Sequence, residues 1–137
     1  MDTRSSHLLK IRPVVQKAKV NADTSDDEYF QNVTLRPVLK LQNILLIEAF
    51  KNYIRKHKNK YYELSLEHRL SYIETSIQKD IKFRNSLKGI IIGQFTVEEY
   101  QAYTKNSSAL NKRMMNMVIN RIKDQIQLLE KEALVYQ

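Results

Sequence analysis

Apolar residues recur at three- and four-residue steps along three long stretches of the chain, which is the spacing of one face of an α-helix. The first stripe runs from Leu35 to Ile54, the second from Leu66 to Ile91 and the third from Leu110 to Ala133. A strong helix start separates the second stripe from the third. The pattern therefore predicts an all-α helical bundle of three long helices and one short helix, over about 35–57, 66–92, 109–134 and 97–106.

The start of the short helix is the best-defined local structure in the sequence. Thr96 and Glu99 form a capping box, in which the side chain of each residue binds the backbone amide of the other. Phe95 and Tyr100 occupy the positions of a hydrophobic staple across the same start. Together these signals predict a helix that begins at Val97.

Both glycines of the chain lie in one apolar stretch, Lys88–Phe95. Gly93 occupies a natural position for the left-handed residue that ends a helix. Gly89 lies four residues earlier, and this small-xxx-small spacing lets two helices approach closely. We predict that the second long helix ends at Gly93. Gly89 has two interpretations, a helix that loosens before its end or a close crossing by another helix.

The N-terminal region shows no sustained period. Its scattered apolar residues and closing acidic cluster predict a flexible arm over residues 1–25, which could dock in part through its apolar residues, followed by a single helical domain over 26–137. Ser25 with Glu28 forms a capping box at which a short helix could begin. Proline is tolerated in the first turn of a helix, so Pro37 makes Thr34 the expected N-cap of the first long helix.

Composition agrees with a helical protein. The 137 residues include two glycines and two prolines, far below the usage of proteins built from strands and tight turns. The absence of cysteine excludes disulfides, thiolate catalysis and cysteine-bound zinc. The N-terminus lacks the apolar core of a signal peptide, and no apolar run approaches the roughly 18 residues of a membrane helix. We expect a cytoplasmic protein without a membrane span.

The net charge of +8 is concentrated in one part of the chain, because residues 35–60 carry seven basic and one acidic side chain. These cations could bind phosphates, and a neighbouring tyrosine could stack on a base. The alternatives are a solvated helix end, whose dipole favours cations, and a contact with an acidic protein or the chain's own acidic arm. The residues of this possible anion or nucleic-acid patch are Lys51, Arg55, Lys56, Lys58, Lys60, Tyr61 and Tyr62.

Other polar residues favour structural roles. Arg84 interrupts the second apolar stripe and Asp80 lies one turn earlier, so we predict an ion pair, with a ligand-binding arginine as the alternative. Glu63, Glu67 and His68 cluster at a helix start, where acidic residues are favoured, and no second histidine follows at metal-ligand spacing. Phosphate-binding glycine loops, nucleophile elbows and paired carboxylates are absent from the sequence, so no catalytic residue, metal or cofactor is predicted.

Four segments carry a resemblance to a known group of proteins: Asn32–Pro37, Asp80–Asn85, Gly93–Thr96 and Ser108–Asn116. Over about residues 30–130 the chain resembles a family of small uncharacterised bacterial helical proteins, some of which carry the label glyoxalase. The resemblance implies a bacterial cytoplasmic protein and supplies no catalytic motif.

Three functional hypotheses follow. The first is a non-catalytic interaction or structural protein that forms a homodimer or binds a protein partner. This hypothesis depends on two lengths of helix, the whole second long helix and the C-terminal half of the third long helix. Together they would leave an uncovered apolar seam. The second hypothesis is nucleic-acid binding through residues 51–62. The third is an enzyme consistent with the glyoxalase label.

Overall fold

The structure, a computed structural model, describes residues 1–14 and 25–131. Every regular element in these ranges is helical, which confirms the predicted all-α fold. The α-helices are α1 (Thr3–Ile11), α2 (Asp26–Phe30), α3 (Arg36–Lys56), α4 (Leu66–Lys79), α5 (Ile81–Ile92), α6 (Val97–Thr104) and α7 (Ser107–Asp124). A π-helical turn (Gln31–Leu35) joins α2 to α3, and 3₁₀ turns occupy Lys60–Glu63 and Ile126–Leu129.

The apolar stripes of the sequence meet in one core. α3 packs against α5 and α7, and α4 packs against α7. Fully buried side chains come from all four of these helices, so the helical periodicity correctly marks the inward faces. They include Val38, Leu39, Phe50, Ile54, Ile73, Ile77, Leu87, Ile91, Met114, Val118 and Ile122.

The first long helix, α3, has the predicted bounds within one residue but follows directly on other helical turns. Ser25 caps α2 by accepting a hydrogen bond from the Glu28 amide, and the helical backbone continues through the π turn into α3. Across this turn the Arg36 amide bonds to the Gln31 carbonyl, one residue further back than in an α-helix. The wider turn accommodates Pro37, which lacks an amide and would clash with a regular preceding turn. The prediction of an N-cap at residue 34 is therefore wrong.

The apolar pattern predicts one long helix over residues 66–92 and leaves open a break near Asp80; the structure has two helices there, α4 and α5. Asp80 breaks the helix with φ −84° and ψ 98°, and its carboxylate accepts hydrogen bonds from the Phe83 amide at 3.2 Å and the Tyr53 hydroxyl at 3.0 Å. Aspartate is a favoured N-cap because its carboxylate satisfies an amide that has no partner within the helix. The change of direction lets α4 reach α7 while α5 lies on α3.

The predicted ion pair between Asp80 and Arg84 is absent. The Asp80 carboxylate is engaged by the amide of α5 and by Tyr53, and no carboxylate among the described residues lies within ion-pair distance of Arg84. Arg84 instead lines a surface cavity of about 430 Å³ together with Lys79 and Lys112. Because Asp80 caps the helix, it stabilises the backbone of α5 rather than the charge of Arg84.

α5 ends without a left-handed glycine. Gly93 has φ −60° and ψ −15°, so the predicted left-handed cap is wrong. The carbonyls that follow the helix are satisfied by two arginines from the N-terminal segment. Arg4 donates to the Gly93 and Phe95 carbonyls at 2.7 and 2.8 Å, and Arg12 donates to the Gln94 carbonyl at 2.8 Å. Cationic side chains at this position also complement the negative end of the helix dipole.

Residues 1–14 are therefore docked on the bundle rather than forming part of a flexible arm. Asp2 caps α1, and the Ser5 hydroxyl accepts a hydrogen bond from the Val97 amide at 3.2 Å. Arg12 forms an ion pair with Glu99 at 2.6 Å. The docking depends on polar contacts, which leave no periodic apolar signal in the sequence. The remainder of the predicted arm, apart from residue 25, lies outside the described residues.

The start of α6 carries the predicted capping box, in which Thr96 and Glu99 each bind the other's backbone amide. Phe95 packs edge-on against Phe30 and Tyr103, with ring centroids 5.5 and 5.8 Å away. Tyr100 is half-exposed and stands against Tyr103 instead. The predicted staple partner is therefore wrong by one helical turn.

The last helix is shorter than predicted. α7 ends at Asp124, and the chain continues as a 3₁₀ turn in which Leu129 is buried. The expected apolar seam is covered on the third long helix, where Val118 and Ile122 are buried and Tyr62 donates a hydrogen bond to the Leu129 carbonyl. On the second, Leu66 and Ile81 are exposed. Residues 132–137, which end the predicted helix, lie outside the described residues. Within the described part of the chain, no helix is both long and apolar enough to cross a membrane.

Gly89 has no close helix neighbour, so the interpretation as a helix crossing is wrong. It is exposed on α5, and an added Cβ would meet nothing within 4 Å. At Gly93, by contrast, an added Cβ would lie 3.0 Å from the Gly89 carbonyl oxygen.

Because alanine restricts the unfolded chain and favours helix, Gly89→Ala is expected to raise the free energy of unfolding by about 0.5–1 kcal/mol. Chemical denaturation of both single variants checks this prediction. Gly93→Ala is the matched control, and its free energy of unfolding should rise less or fall. A Gly89→Ala protein less stable than the wild type would contradict it.

Candidate nucleic-acid interface

The predicted basic patch lies where α3 ends. His57 is the C-cap, and the amides of Lys58 and Asn59 bond back to carbonyls of the last helical turn. Lys58 and Asn59 have φ angles of 63° and 58°, in the left-handed region that commonly ends helices. This turn gathers four cationic side chains near the negative end of the helix dipole. We call these four residues the basic end: Arg55, Lys56, Lys58 and Lys60.

All four side chains of the basic end are exposed. In the described ranges, no carboxylate lies within ion-pair distance of any of them. Lys51 differs, because its ammonium lies 3.4 Å from the Glu48 carboxylate. The structure thus brings the predicted cations together, and no described carboxylate neutralises the charge of the basic end.

The two tyrosines of the predicted patch pack inward. Tyr61 is 1% exposed, and burial raises its pKa to about 12. Tyr62 stands edge-on against Tyr61 and donates its hydroxyl to the Leu129 carbonyl at 2.8 Å. The guanidinium of Arg69 covers both rings, 5.1 and 5.8 Å from their centroids. These tyrosines support the core beneath the basic end, and the prediction that one of them stacks on a base loses its basis.

An aromatic stack that the sequence did not predict reaches the surface beside the basic end. The rings of His57 and Tyr53 lie 4.0 Å apart, and Tyr53 lies 4.1 Å from Phe83 on its way into the protein. His57 Nδ1 is 2.8 Å from the Tyr53 carbonyl oxygen, which can only accept, so this nitrogen carries the proton. The His57 ring is exposed and extends the stack to solvent.

The spacing of Tyr53 and His57 could have revealed half of this stack. Residues four apart lie above one another on a helix, and both are aromatic. Phe83 comes from α5, and its position depends on the break at Asp80, which the apolar pattern did not require. The spacing of apolar residues therefore could not predict that Phe83 is the third ring of the stack.

Tyr53 also connects the stack to Asp80. Burial, followed by the hydrogen bond to Asp80, raises the pKa of Tyr53 to about 12. The amide of Phe83 and the hydroxyl of Tyr53 hold the pKa of Asp80 below its ordinary value. At neutral pH the tyrosine is therefore protonated and the aspartate ionised. Since neither group titrates near neutrality, the pair is suited to fixing position rather than to transferring protons.

Two cavities open on either side of this pair. The larger, of about 600 Å³, is lined by His68, Tyr72 and Lys79, and the smaller, of about 390 Å³, by Lys56 and Lys82. Both are bordered by Tyr53 and Asp80. The surface next to the basic end thus combines cations with aromatic walls, which suits an anion attached to a planar group.

Ligands for a metal do not converge in the described ranges, where no group of three or more histidine, aspartate or glutamate side chains could hold an ion. Glu63, Glu67 and His68 lie at the start of α4, where Ser65 accepts a hydrogen bond from the His68 amide. They therefore occupy the position of an ordinary helix start.

No family model, curated protein or solved structure matches the chain.

Proposed function

We propose that the protein is a non-catalytic binding protein that holds single-stranded nucleic acid at the basic end of α3. The observation that supports this function is the combination of four exposed cations, none ion-paired to another described residue, with the exposed His57 ring of the aromatic stack. A cytoplasmic location, expected from the sequence, belongs to the same proposal, as does membership of the bacterial family that the chain resembles.

Two physical effects would contribute to binding. Cations that neutralise phosphates release condensed counterions, so the affinity falls steeply as salt rises. An exposed ring can stack on an unpaired base, which contributes about 1–3 kcal/mol per base in known single-strand binders. Bases in a duplex are already stacked on each other, so the His57 ring favours a single strand.

Charge reversal at Lys56, Lys58 and Lys60 tests the proposal. The triple change to glutamate is expected to weaken binding of a fluorescent ten-nucleotide thymidine strand at least a hundredfold. The slope of log affinity against log salt should fall by about 2, because three phosphate contacts are lost at about 0.7 each on a single strand. Fluorescence anisotropy between 50 and 200 mM salt measures both quantities.

A matched control separates local from overall charge. Lys10, Lys88 and Lys105 lie away from the basic end, and their reversal changes the net charge by the same amount. This control should bind with little loss. An equal loss of strand affinity in the two triple variants would show that net charge alone drives association and would contradict the proposed interface. His57→Ala should weaken binding about tenfold with an unchanged salt slope, since stacking is uncharged.

Self-association is the second candidate function, supported by the outward face of α3. Ile44 and Leu45 are 63% and 51% exposed, and Leu41 lies beside them on the same helix face. Adjacent exposed aliphatic side chains are a common feature of interfaces between subunits. The surface differs from the seam expected on the second and third long helices, where Leu66 and Ile81 are exposed and Val118 and Ile122 are buried.

A homodimer through this face predicts that Ile44→Glu converts the protein to a monomer, because a carboxylate would be buried against its own copy. Sedimentation equilibrium at several protein concentrations measures the change. Leu66→Glu, at a similarly exposed leucine on α4, is the matched control and should leave the dimer intact. A wild-type protein that stays monomeric at high concentration would refute this candidate.

A further inference from the structure

A second cationic site lies at the opposite end of α3 from the basic end. A groove of about 550 Å³ opens between the first turns of α3 and the last turns of α7. Its lining carries three cations, Arg36, Lys40 and Arg121, against a single carboxylate, Asp124. Arg36 and Lys40 are exposed at the rim of the groove, and Arg121 is partly buried.

Neutral amides hold the two arginines in place. The Arg121 guanidinium is partly buried and donates to the Asn43 side-chain oxygen at 3.3 Å. Asn43 is itself fixed by two hydrogen bonds with the Gln125 amide, both of 2.7 Å. Arg36 donates from Nε to the Asn32 side-chain oxygen at 2.8 Å. An amide orients a guanidinium without neutralising it, so the charge remains available.

The charge of Arg36 acts on the Arg121 guanidinium. Burial and then the charge of Arg36 lower the pKa of Arg121, while Asp124 acts in the opposite sense. Within the described residues, neither arginine has a carboxylate at ion-pair distance. Like charges that line one groove repel each other, and an anion bound between them would relieve that repulsion.

We propose that this groove binds a phosphate group between Arg36 and Arg121, with Lys40 as a third contact. Arginine suits phosphate because its planar fork of N–H donors matches two phosphate oxygens. Phosphate is offered both by small ions such as pyrophosphate and by the backbone of nucleic acid. The site is defined by its own residues and does not require the basic end to function.

One oligonucleotide could reach both sites. Arg36 and Arg55 are 19 residues apart, which corresponds to about 28 Å along a helix that rises 1.5 Å per residue. At 100° per residue, Arg36, Lys40 and Arg55 fall within an arc of about 100° around α3. The groove and the basic end therefore share one side of the helix.

Isothermal titration with pyrophosphate at low salt tests the groove directly. The wild-type protein is expected to bind, and Arg36→Gln and Arg121→Gln are each expected to weaken binding at least tenfold. Asp124→Asn should tighten binding severalfold because it removes the negative charge that the described lining residues carry, and unfolding cannot produce such a gain. Lys105→Gln, which removes one exposed charge elsewhere, is the matched control and should have no effect.

Titration of the same variants with the ten-nucleotide strand identifies the source of the phosphate. If nucleic acid uses the groove, Arg36→Gln also weakens strand binding and lowers its salt slope by about 0.7. If the groove takes small phosphates, the strand affinity is unchanged while pyrophosphate affinity falls. Absence of pyrophosphate binding by the wild type, or binding that ignores both arginine substitutions, would overturn the proposal. Either result leaves the test of the basic end independent, because that test changes Lys56, Lys58 and Lys60, none of which lines the groove.

Discussion

Loss of the Glu99 side chain is expected to lower the free energy of unfolding by about 3–5 kcal/mol, the range for removing one partner of a buried ion pair. The Glu99 carboxylate accepts two hydrogen bonds from Arg12, at 2.6 and 2.9 Å, and one from the Thr34 hydroxyl at 2.9 Å. It also accepts the Thr96 amide at 2.8 Å. The side chains of Arg12 and Glu99 are only 7% and 16% exposed, so Glu99→Ala leaves a buried guanidinium without its counter-charge.

Urea denaturation of Glu99→Ala measures this loss. Glu98→Ala is the matched control, because Glu98 is the preceding residue of the same helix and is exposed. It should change stability little. Similar effects of the two substitutions would show that the contacts of Glu99 stabilise the fold no more than a surface carboxylate does.

The same carboxylate makes stability depend on pH. Burial opposes ionisation of Glu99, but the Arg12 guanidinium and the Thr96 amide outweigh it and hold its pKa below the ordinary 4.5. Because the folded pKa is depressed, its stabilisation is complete above about pH 4.5 and is lost as pH falls through the folded value. Glu99→Gln should therefore be less stable at pH 7 and lose less stability than the wild type between pH 5 and 2. Parallel stability curves for the two proteins would contradict this assignment.

Truncation of Phe50 is expected to have the other large effect, again about 3–5 kcal/mol. Phe50 is fully buried on α3, and its ring lies 5.9 Å from Tyr53 and 5.8 Å from Phe83. Tyr72 and Tyr61 stand edge-on to it at 6.3 and 6.4 Å. Phe50→Ala would leave a cavity among these four rings and remove the support beneath the aromatic stack.

Thermal and urea unfolding measure the stability of Phe50→Ala, and near-ultraviolet circular dichroism reports the packing of its tyrosines. Phe50→Leu keeps most of the volume and should cost less than half as much. Strand binding should weaken in Phe50→Ala at temperatures where the variant is still folded, since Tyr53 and His57 lose their fixed position. Unchanged binding in a loosened core would show that the stack does not contribute to the interface.

The buried helix faces could be predicted because a buried face requires apolar residues at three- and four-residue steps, and this spacing is visible in the sequence. Leu39, Ile73 and Met114 lie on the expected stripes and have no exposed surface. Capping is equally local, so Thr96 with Glu99 could be identified from four consecutive residues. Both kinds of signal are complete within one or two helical turns.

The errors come from interactions between distant parts of the chain. Arg4 and Arg12 looked like polar residues of an arm because their acceptors lie more than 80 residues later. The helix breaks at Asp80 only if the packing of α5 against α3 stabilises the fold more than an uninterrupted continuation of α4 would. That balance is not recorded in the spacing of apolar residues.

The candidate site likewise contains residues that the sequence predicted and residues that it did not. Sequence counting found the basic end because charge density is a local property. It placed Tyr61 at the surface because a 3₁₀ turn has too few residues to show a burial pattern. Arg36 and Arg121 were not singled out, since only the packing of α3 against α7 places them in one groove.

The docking of α1 also sets an order for events during synthesis. Its contacts through Arg4, Ser5 and Arg12 span 82 to 92 residues, so α1 leaves the ribosome well before the residues that it binds. Until the start of α6 emerges, the partners that hold α1 do not exist. α1 is therefore made before its docking site, and its attachment requires that the end of α5 and the start of α6 have been made.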